Sequence, residues 1–338
     1  MLKNFLKSAK NIYLRAKYSI IHLPNLLQNK YTQLVVDAKE MILKFNNLRN
    51  TNIELVKYHL SEGRIFDAKL RLGILSRIIA KEDEEIFNLK AWTYYIEGNI
   101  DKSIEFFNLA NESKIVDFLS NPYNYEMVPQ EIYKARRSWQ ANYYDSMFLE
   151  GRDYLPHSII KSFLQFIPQR EHRKILDLGA STGIISYEIS NKNNQDHFFA
   201  VENSQNMINY INKFHKNLYK EIFQQEIIDF LENNQEKFDI ILSFCSLDFI
   251  KHLDNIFTNI YQHLNEGGVL CLTLEVTIDK TKLNTKLYNF VYNVDEIIKS
   301  LTHIGFYILK KDTNKIRDKE YLTIIAKNNY YNVINDRI

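Results

Sequence analysis

The chain has 338 residues, 45% of them hydrophobic and 25% charged, with a formal net charge of +2. That length suits about two domains, and the near-neutral balance argues against a strongly basic nucleic-acid surface. Two cysteines, Cys245 and Cys271, both in apolar surroundings, exclude a disulfide framework and a zinc cluster and point to a reducing, cytoplasmic setting without a metal site. No apolar run reaches the ~20 residues of a membrane span. Lys, Asn, Ile, Tyr and Phe are abundant and glycines number only nine, the bias of an AT-rich bacterial genome, so each glycine is informative.

From Met1 to Val36 every charge is basic: Lys3, Lys7, Lys10, Arg15, Lys17 and Lys30, interleaved with Leu2, Phe5, Leu6, Ile12 and Leu14. These charges interrupt any signal-peptide core. A basic amphipathic helix could lie on an anionic membrane, but the preferred reading is a first helix packed on the next helices of the chain, its lysines in solvent. The adjoining stretch repeats itself. "SEGRIFDAKLRL" from Ser61 and "IEGNIDKSIEFF" from Ile96 align Gly63 with Gly98, Ile65 with Ile100, Ala68 with Ser103 and Leu72 with Phe107, an offset of 35 residues. Each glycine closes one helix, and each small residue lets the next helix approach its partner. Ala91 and Ala110 occupy further small positions, although a terminal proline is missing. The pattern resembles tetratricopeptide (TPR) repeats, which implies a protein partner or a role in positioning substrate. A generic pair of helical hairpins fits the same residues. Two repeats are too few to stand alone, so helices within 1–48 are expected to cap them.

Asn121-Pro122 and Pro129 break the helical pattern. A connecting helix, a loop around Gly151 to Pro156 and another helix to Ile167 come next. From Lys174 short apolar runs alternate with helical ones. Strands are expected at "KILDLGA", "HFFAVEN", "EIFQQE", "FDIILSFCS" and "GGVLCLTLEV". Helices are expected to about Asn191, over Gln205 to about Lys216, at "LDNIFTNIYQHL" and at "VDEIIKSLTHIG". Alternation of this kind predicts a parallel sheet. "FYILKKD" and "YLTIIAKN" have no helix between them, so they pair antiparallel. The domains are therefore 1–120 (helical, with the repeats at about 51–118), 121–170 (connecting helices and a possible cofactor lid) and 171–330 (α/β).

"GASTG", Gly179 to Gly183, spells the G-x-S-x-G of a hydrolase nucleophile elbow. Asp177 stands where such an elbow carries an apolar residue, the motif follows the first strand of the sheet, and His303 lies inside a helical pattern. The hydrolase reading, with Ser181 as nucleophile, is accordingly a distant third. A dinucleotide site wants G-x-G-x-x-G, and here Ser181 and Ile184 stand at the second and third glycine positions. Nineteen residues after Gly183, Glu202 ends the next strand. An acid there can accept hydrogen bonds from both ribose hydroxyls of an adenosine, on one rim with Asp177 and Gly179. Ser181 can serve in the turn if its φ stays negative.

"ILDLGASTG" resembles motif I of class I S-adenosylmethionine (SAM) dependent methyltransferases. "AVENSQNM" resembles their second motif, "EKFDIILSFCSLDFI" motif IV, and "LNEGGVLCLTLE" the Gly-Gly turn into strand five, all within 174–328. With the repeats, the chain looks like the predicted bacterial methyltransferases that carry TPR repeats. "ANYYDSMF" before motif I and Glu275 ending strand five are similar to theirs. The resemblance implies a Rossmann-like sheet, parallel with one antiparallel edge strand, preceded by an all-α TPR-like domain. It implies SAM as cofactor and these roles. Asp177 holds the methionine amino group, and Gly179, Ala180, Ser181 and Gly183 approach the carboxypropyl arm. Glu202 binds the ribose, Asn203 and Met207 flank the adenine, and Glu226 with the backbone of Ile227 meets the adenine amino group. Ser243 lines the transfer position. Asp229 competes with Glu226, which is preferred because it is expected to end strand three. Met207 on a helix fits the core equally well, and Asp239 is expected only to fix the turn into strand four.

SAM brings its own electrophile, so a base is required only if the acceptor must lose a proton, and no catalytic residue is assigned. After strand four, Ser243-Phe244-Cys245-Ser246 lacks the signatures of amide, nucleobase-amine and cytosine-C5 methylation, which makes Cys245 a packed thiol. His252, Tyr143, Tyr144 and Asp248 are rim candidates. The segment Val276 to Asn293 is longer than an ordinary α/β connection. One reading surrounds a cavity above Ser243 with Tyr288, Tyr292, Arg317, Tyr143 and Tyr144; the other leaves a solvated loop. The alternative to an active enzyme is a catalytically silent SAM-binding and interaction protein.

Overall fold

The computed structural model describes residues 48–78, 83–141, 144–145, 160, 163–166, 172–191, 195–285, 288–316 and 319–328. The basic N-terminal segment, Tyr143, Arg317 and most of the connecting loop lie outside these residues. Among the described residues no helix is long and apolar enough to cross a membrane.

The first part is helical: α1 (Leu48–Ser61), α2 (Ile65–Ile78), α3 (Glu84–Glu97), α4 (Ile100–Leu109) and α5 (Ser113–Ser120). Local chemistry sets these ends. Asp83 caps α3 by accepting from the Ile86 amide, Gly98 ends it at φ 82°, and Asn99 then caps α4. The repeated small positions Ala68, Ala91 and Ser103 are fully buried. Ser103 Oγ donates across the α3–α4 contact to the Ala91 carbonyl at 3.0 Å, a backbone approach that a larger residue would block. After a 3₁₀ turn at Pro122–Asn124, α6 (Gln130–Gln140) leads toward the sheet domain.

That domain alternates as expected: β1 (Lys174–Leu178), α7 (Ile184–Ser190), β2 (His197–Val201), α8 (Gln205–Phe214), β3 (Tyr219–Phe223), α9 (Ile227–Asn233), β4 (Phe238–Phe244), α10 (Asp254–His263) and β5 (Leu264–Thr277). Then come β6 (Lys282–Asn284), β7 (Asn289–Asn293), α11 (Val294–Ile304), β8 (Phe306–Ile316) and β9 (Lys319–Asn328). The strand order β3-β2-β1-β4-β5 is parallel. The antiparallel edge is the β9–β8 hairpin, with β9 on β5. Every residue of β4 is buried, as a central strand covered on both faces must be.

Three expectations need correction. β3 starts at Tyr219, two residues before the expected Glu221, so Glu226 does not end the strand; it stands at the N-cap of α9. The long connection after β5 is not a plain loop. It holds the β6–β7 hairpin, and β7 continues the sheet parallel to the end of β5 through Val276↔Tyr292 and Thr277↔Asn293. Consequently Tyr288 and Tyr292 do not stand over Ser243. Tyr288 packs against Tyr95 of α3 at 5.7 Å and Phe118 of α5 at 5.5 Å. It joins one apolar core that runs from Trp92 and Phe107 through Phe290 to Leu272. Tyr292 is buried, and its hydroxyl lies 2.6 Å from both the Leu247 and Ile250 carbonyls. It thereby fixes the segment after β4. Tyr292→Phe leaves those carbonyls without their donor and is expected to lower stability by about 1–2 kcal/mol, to be read as a shifted urea midpoint at constant slope.

Candidate cofactor site

The turn after β1 is built from left-handed residues at Gly179 (φ 72°), Ser181 (φ 51°) and Gly183 (φ 78°). The expected negative φ at Ser181 is thus overturned. The turn aims the Ser181 N–H at Glu202, whose Oε2 accepts it at 2.8 Å, and this contact supports a conformation that costs a non-glycine residue about 1–2 kcal/mol. The other oxygen of Glu202 accepts the Ser204 amide at 2.8 Å. The Gly179 amide donates to the Val201 carbonyl at 2.8 Å. These bonds lock the ends of β1 and β2 together and bury the Glu202 carboxyl. Burial pushes its pKa up to about 7, against the pull of the two amides.

Glu202 lines a cavity with Gly179, Ser181, Asn203, Glu226 and Ile227. Six of the expected site residues therefore meet at one place. On the opposite wall stand Tyr133 and Arg137 of α6, with Ser246 and Phe249 after β4, groups that the sequence pattern did not single out, and the rim candidate Asp248. Gln130 Nε2 and Tyr133 Oη both donate to Glu226, and Asn203 Nδ2 donates to the same carboxylate at 3.0 Å. The Tyr133 ring stacks on Phe249 at 4.4 Å. Gln130, Tyr133 and Arg137 sit at i, i+3 and i+7, one face of a helix; that spacing was the available signal.

The remaining expected residues are placed elsewhere. Asp177 is buried, and its Oδ2 accepts from Ser186 Oγ at 2.6 Å and Tyr219 Oη at 2.8 Å. Burial raises its pKa, partly offset by those hydroxyls. Ser243 pairs with Ser246 at 2.9 Å, beneath the cavity. Met207 packs with Ala141 and Tyr144, and Ala180 packs with Ala200 and Ile211. Gly183 opens α7. Asp239, as expected, ties strands together: its carboxylate accepts from the Lys174 amide at 2.9 Å and from Asn265 at 2.7 Å. Among the rim candidates, Tyr144 is buried beside Arg137 at 3.3 Å. His252 is exposed and paired with Glu126 at 2.6 Å. His303 lines a separate groove between α10 and α11, so the geometry gives Ser181 no elbow partner there. Burial pushes the Cys245 and Cys271 thiols up to about 12. Only about one in 10⁴ is then a thiolate at pH 8. Neither is expected to react with a disulfide reagent in the native protein, and both react once it is unfolded in urea.

A SAM-sized cation fits the donor set of this wall: three carboxylates, Glu202, Glu226 and Asp248, face one cation, Arg137. At 179 the backbone runs so close to the segment after β4 that only glycine can stand there. A Cβ on Gly179 would lie 2.4 Å from that of Ser246.

Residues 169–335 match the family model described as a methyltransferase domain. Over 144 residues the chain is 25% identical to a malonyl-[acyl-carrier protein] O-methyltransferase of Bacillus cereus, covering 43% of this chain and 52% of the relative. Over 125 residues it is 31% identical to a carboxy-S-adenosyl-L-methionine synthase of Actinobacillus pleuropneumoniae, covering 35% and 51%. The chain thus spans about half the length of the curated relatives it matches. Among solved structures, an S-adenosylmethionine-dependent methyltransferase from Clostridium acetobutylicum aligns over 56% of this chain and 97% of that one, with 21% identity and a TM-score of 0.43. The strand order and its antiparallel edge define a Rossmann-like α/β domain. More narrowly, residues 169–335 match a methyltransferase domain, with SAM as the cofactor.

Proposed function

We propose that the chain transfers a methyl group from SAM to an acceptor, with Glu202 on the ribose, Asn203 and Glu226 at the adenine, and the 179–183 turn on the amino-acid arm. The observation that carries this is the meeting of the left-handed turn with the buried Glu202 carboxylate on one cavity wall. Bound SAM supplies an electrophilic methyl on a cationic sulfur. The protein's part is to bind, orient and exclude water. Glu202 fixes the nucleoside, Arg137 and Asp248 flank the side of the cavity next to β4, and Tyr133 on Phe249 closes it. Asp177, held by Ser186 and Tyr219, supports β1 and acts on the cofactor through the turn it precedes.

The helical part, as a TPR-like module, positions a protein-borne or small acceptor in this reading, in a cytoplasmic bacterial setting. Contact of the basic N-terminus with a membrane is the less favoured role. Titration calorimetry with S-adenosylhomocysteine tests the site, and transfer from methyl-labelled SAM into a lysate tests the reaction. A second reading takes support from Gln130 and Tyr133, which already occupy Glu226: a SAM-binding protein without turnover. Tight S-adenosylhomocysteine binding with no labelled product in any fraction favours it, whereas the absence of binding overturns both.

A further inference from the structure

At the carboxyl ends of β4 and β5, on the edge of the cofactor cavity, two ion pairs stand close together. Arg137 Nη2 lies 3.5 Å from Asp248 Oδ1, with side chains 15% and 16% exposed, and the same nitrogen donates to the Cys245 carbonyl at 2.7 Å. Lys319 Nζ lies 2.6 Å from Glu275 Oε2, with side chains 28% and 12% exposed. Residues 289 and 290 join the pairs: Asn289 Nδ2 donates to Glu275 Oε2 at 3.3 Å, and the Phe290 amide donates to the Asp248 carbonyl at 2.7 Å. All four charges act on the Cys245 thiol, which lies among them. Asn289 is 2% exposed, and its Oδ1 has no hydrogen-bond partner.

An ion pair largely withdrawn from water is a poor stabilising device, because the loss of hydration offsets the attraction between the charges. Two of them at the ligand-binding end of an open sheet therefore call for a ligand. The cluster is charge-balanced, with two cations and two carboxylates. A plain anion entering it meets two like charges, and so does a plain cation. A molecule that carries both an ammonium and a carboxylate can exchange with a resident pair and leave every charge partnered. Its ammonium brings three donors, which matches the orphaned acceptor on Asn289.

We propose that the cluster of Arg137, Asp248, Glu275, Lys319 and Asn289 is the acceptor subsite and that it takes a small zwitterion bearing an amine and a carboxylate. This rests on the methyltransferase reading, since Arg137 and Asp248 also wall the cofactor cavity.

Calorimetry on the full chain saturated with S-adenosylhomocysteine tests it, using glycine, 4-aminobutyrate and 6-aminohexanoate as zwitterions of three lengths, and butyrate and butylamine as half-ligands. The expected result is that one zwitterion binds at least tenfold more tightly than either half-ligand. Lys319→Met and Glu275→Gln, which lie outside the cofactor cavity, each abolish that preference and leave S-adenosylhomocysteine affinity within twofold, which also shows that they fold. The proposal is overturned if butyrate or butylamine binds as tightly as every zwitterion, if no zwitterion binds the saturated protein, or if both variants keep the preference. Failure to bind S-adenosylhomocysteine at all overturns the methyltransferase reading, and this proposal with it.

Discussion

Gly179→Ala is expected to destabilise the sheet domain by about 3 kcal/mol and to weaken S-adenosylhomocysteine binding more than tenfold. Two costs add. At φ 72° an L-residue loses about 1–2 kcal/mol to the contact between its Cβ and carbonyl. The new Cβ would also lie 2.4 Å from Ser246 Cβ, so one of two packed loops must move, at about 1–3 kcal/mol. Gly98 supplies the control. It has φ 82°, and a methyl added there meets nothing within 4 Å, so Gly98→Ala carries the conformational cost alone. The gap between the two variants in urea denaturation isolates the steric term. Ser246 lines the cofactor cavity, so the clash reaches the ligand as well as the fold. Equal destabilisation by the two variants would show that the Gly179–Ser246 approach is not tight.

The α/β order was readable because β1, β2, β4 and β5 are central strands, whose burial writes continuous apolar runs into the sequence. β3 was misplaced by two residues for the converse reason. It pairs only with β2, at the sheet edge, and Lys220 and Glu221 are exposed, so the pattern that marks strand limits is weak. The β6–β7 hairpin was missed because its turn has no Asn-Gly or Asp-Gly signal. Instead Tyr288 takes φ 48°, a strained choice for an aromatic residue, supported by its packing on Tyr95 and Phe118.

Of the site, Glu202 and the glycine turn were legible because chain order alone puts them on neighbouring strand ends. The opposite wall was not. Tyr133 and Arg137 come from a helix that precedes β1 by more than thirty residues, and only tertiary docking brings them to Glu226 and Asp248. That docking combines apolar packing of Val128, Ile132 and Tyr133 with Phe249 and Ile250 and backbone pairing: the Val128 amide donates to the Phe249 carbonyl at 2.8 Å and the Lys251 amide to the Glu126 carbonyl at 2.9 Å. Such a pairing between distant segments leaves no periodic trace in either of them. The ion pair of Lys319 with Glu275 is likewise invisible in sequence, since it depends on the register that sets Glu275 opposite Tyr321.

Cofactor affinity and stability are expected to respond to pH in opposite directions, both through Glu202. Burial raises its pKa from an ordinary 4.5 to about 7. A carboxyl that holds its proton more tightly in the folded state contributes stability that is fully present below about pH 4.5 and lost as pH rises through about 7. That loss is on the order of 3 kcal/mol. It is to be read as the difference in stability between wild type and Glu202→Gln, so that other titrations cancel. Ribose hydroxyls donate most strongly to the ionised carboxylate, so the binding-competent form is the one that gains population as pH rises. Only about one molecule in ten carries it at pH 6, against about nine in ten at pH 8. The S-adenosylhomocysteine dissociation constant is therefore expected to be roughly tenfold weaker at pH 6 than at pH 8, and Glu202→Gln to bind weakly at both. A flat wild-type affinity over that range, with Glu202→Gln equally tight, would remove Glu202 from the ribose and leave it the structural role of fastening Ser181 to Ser204.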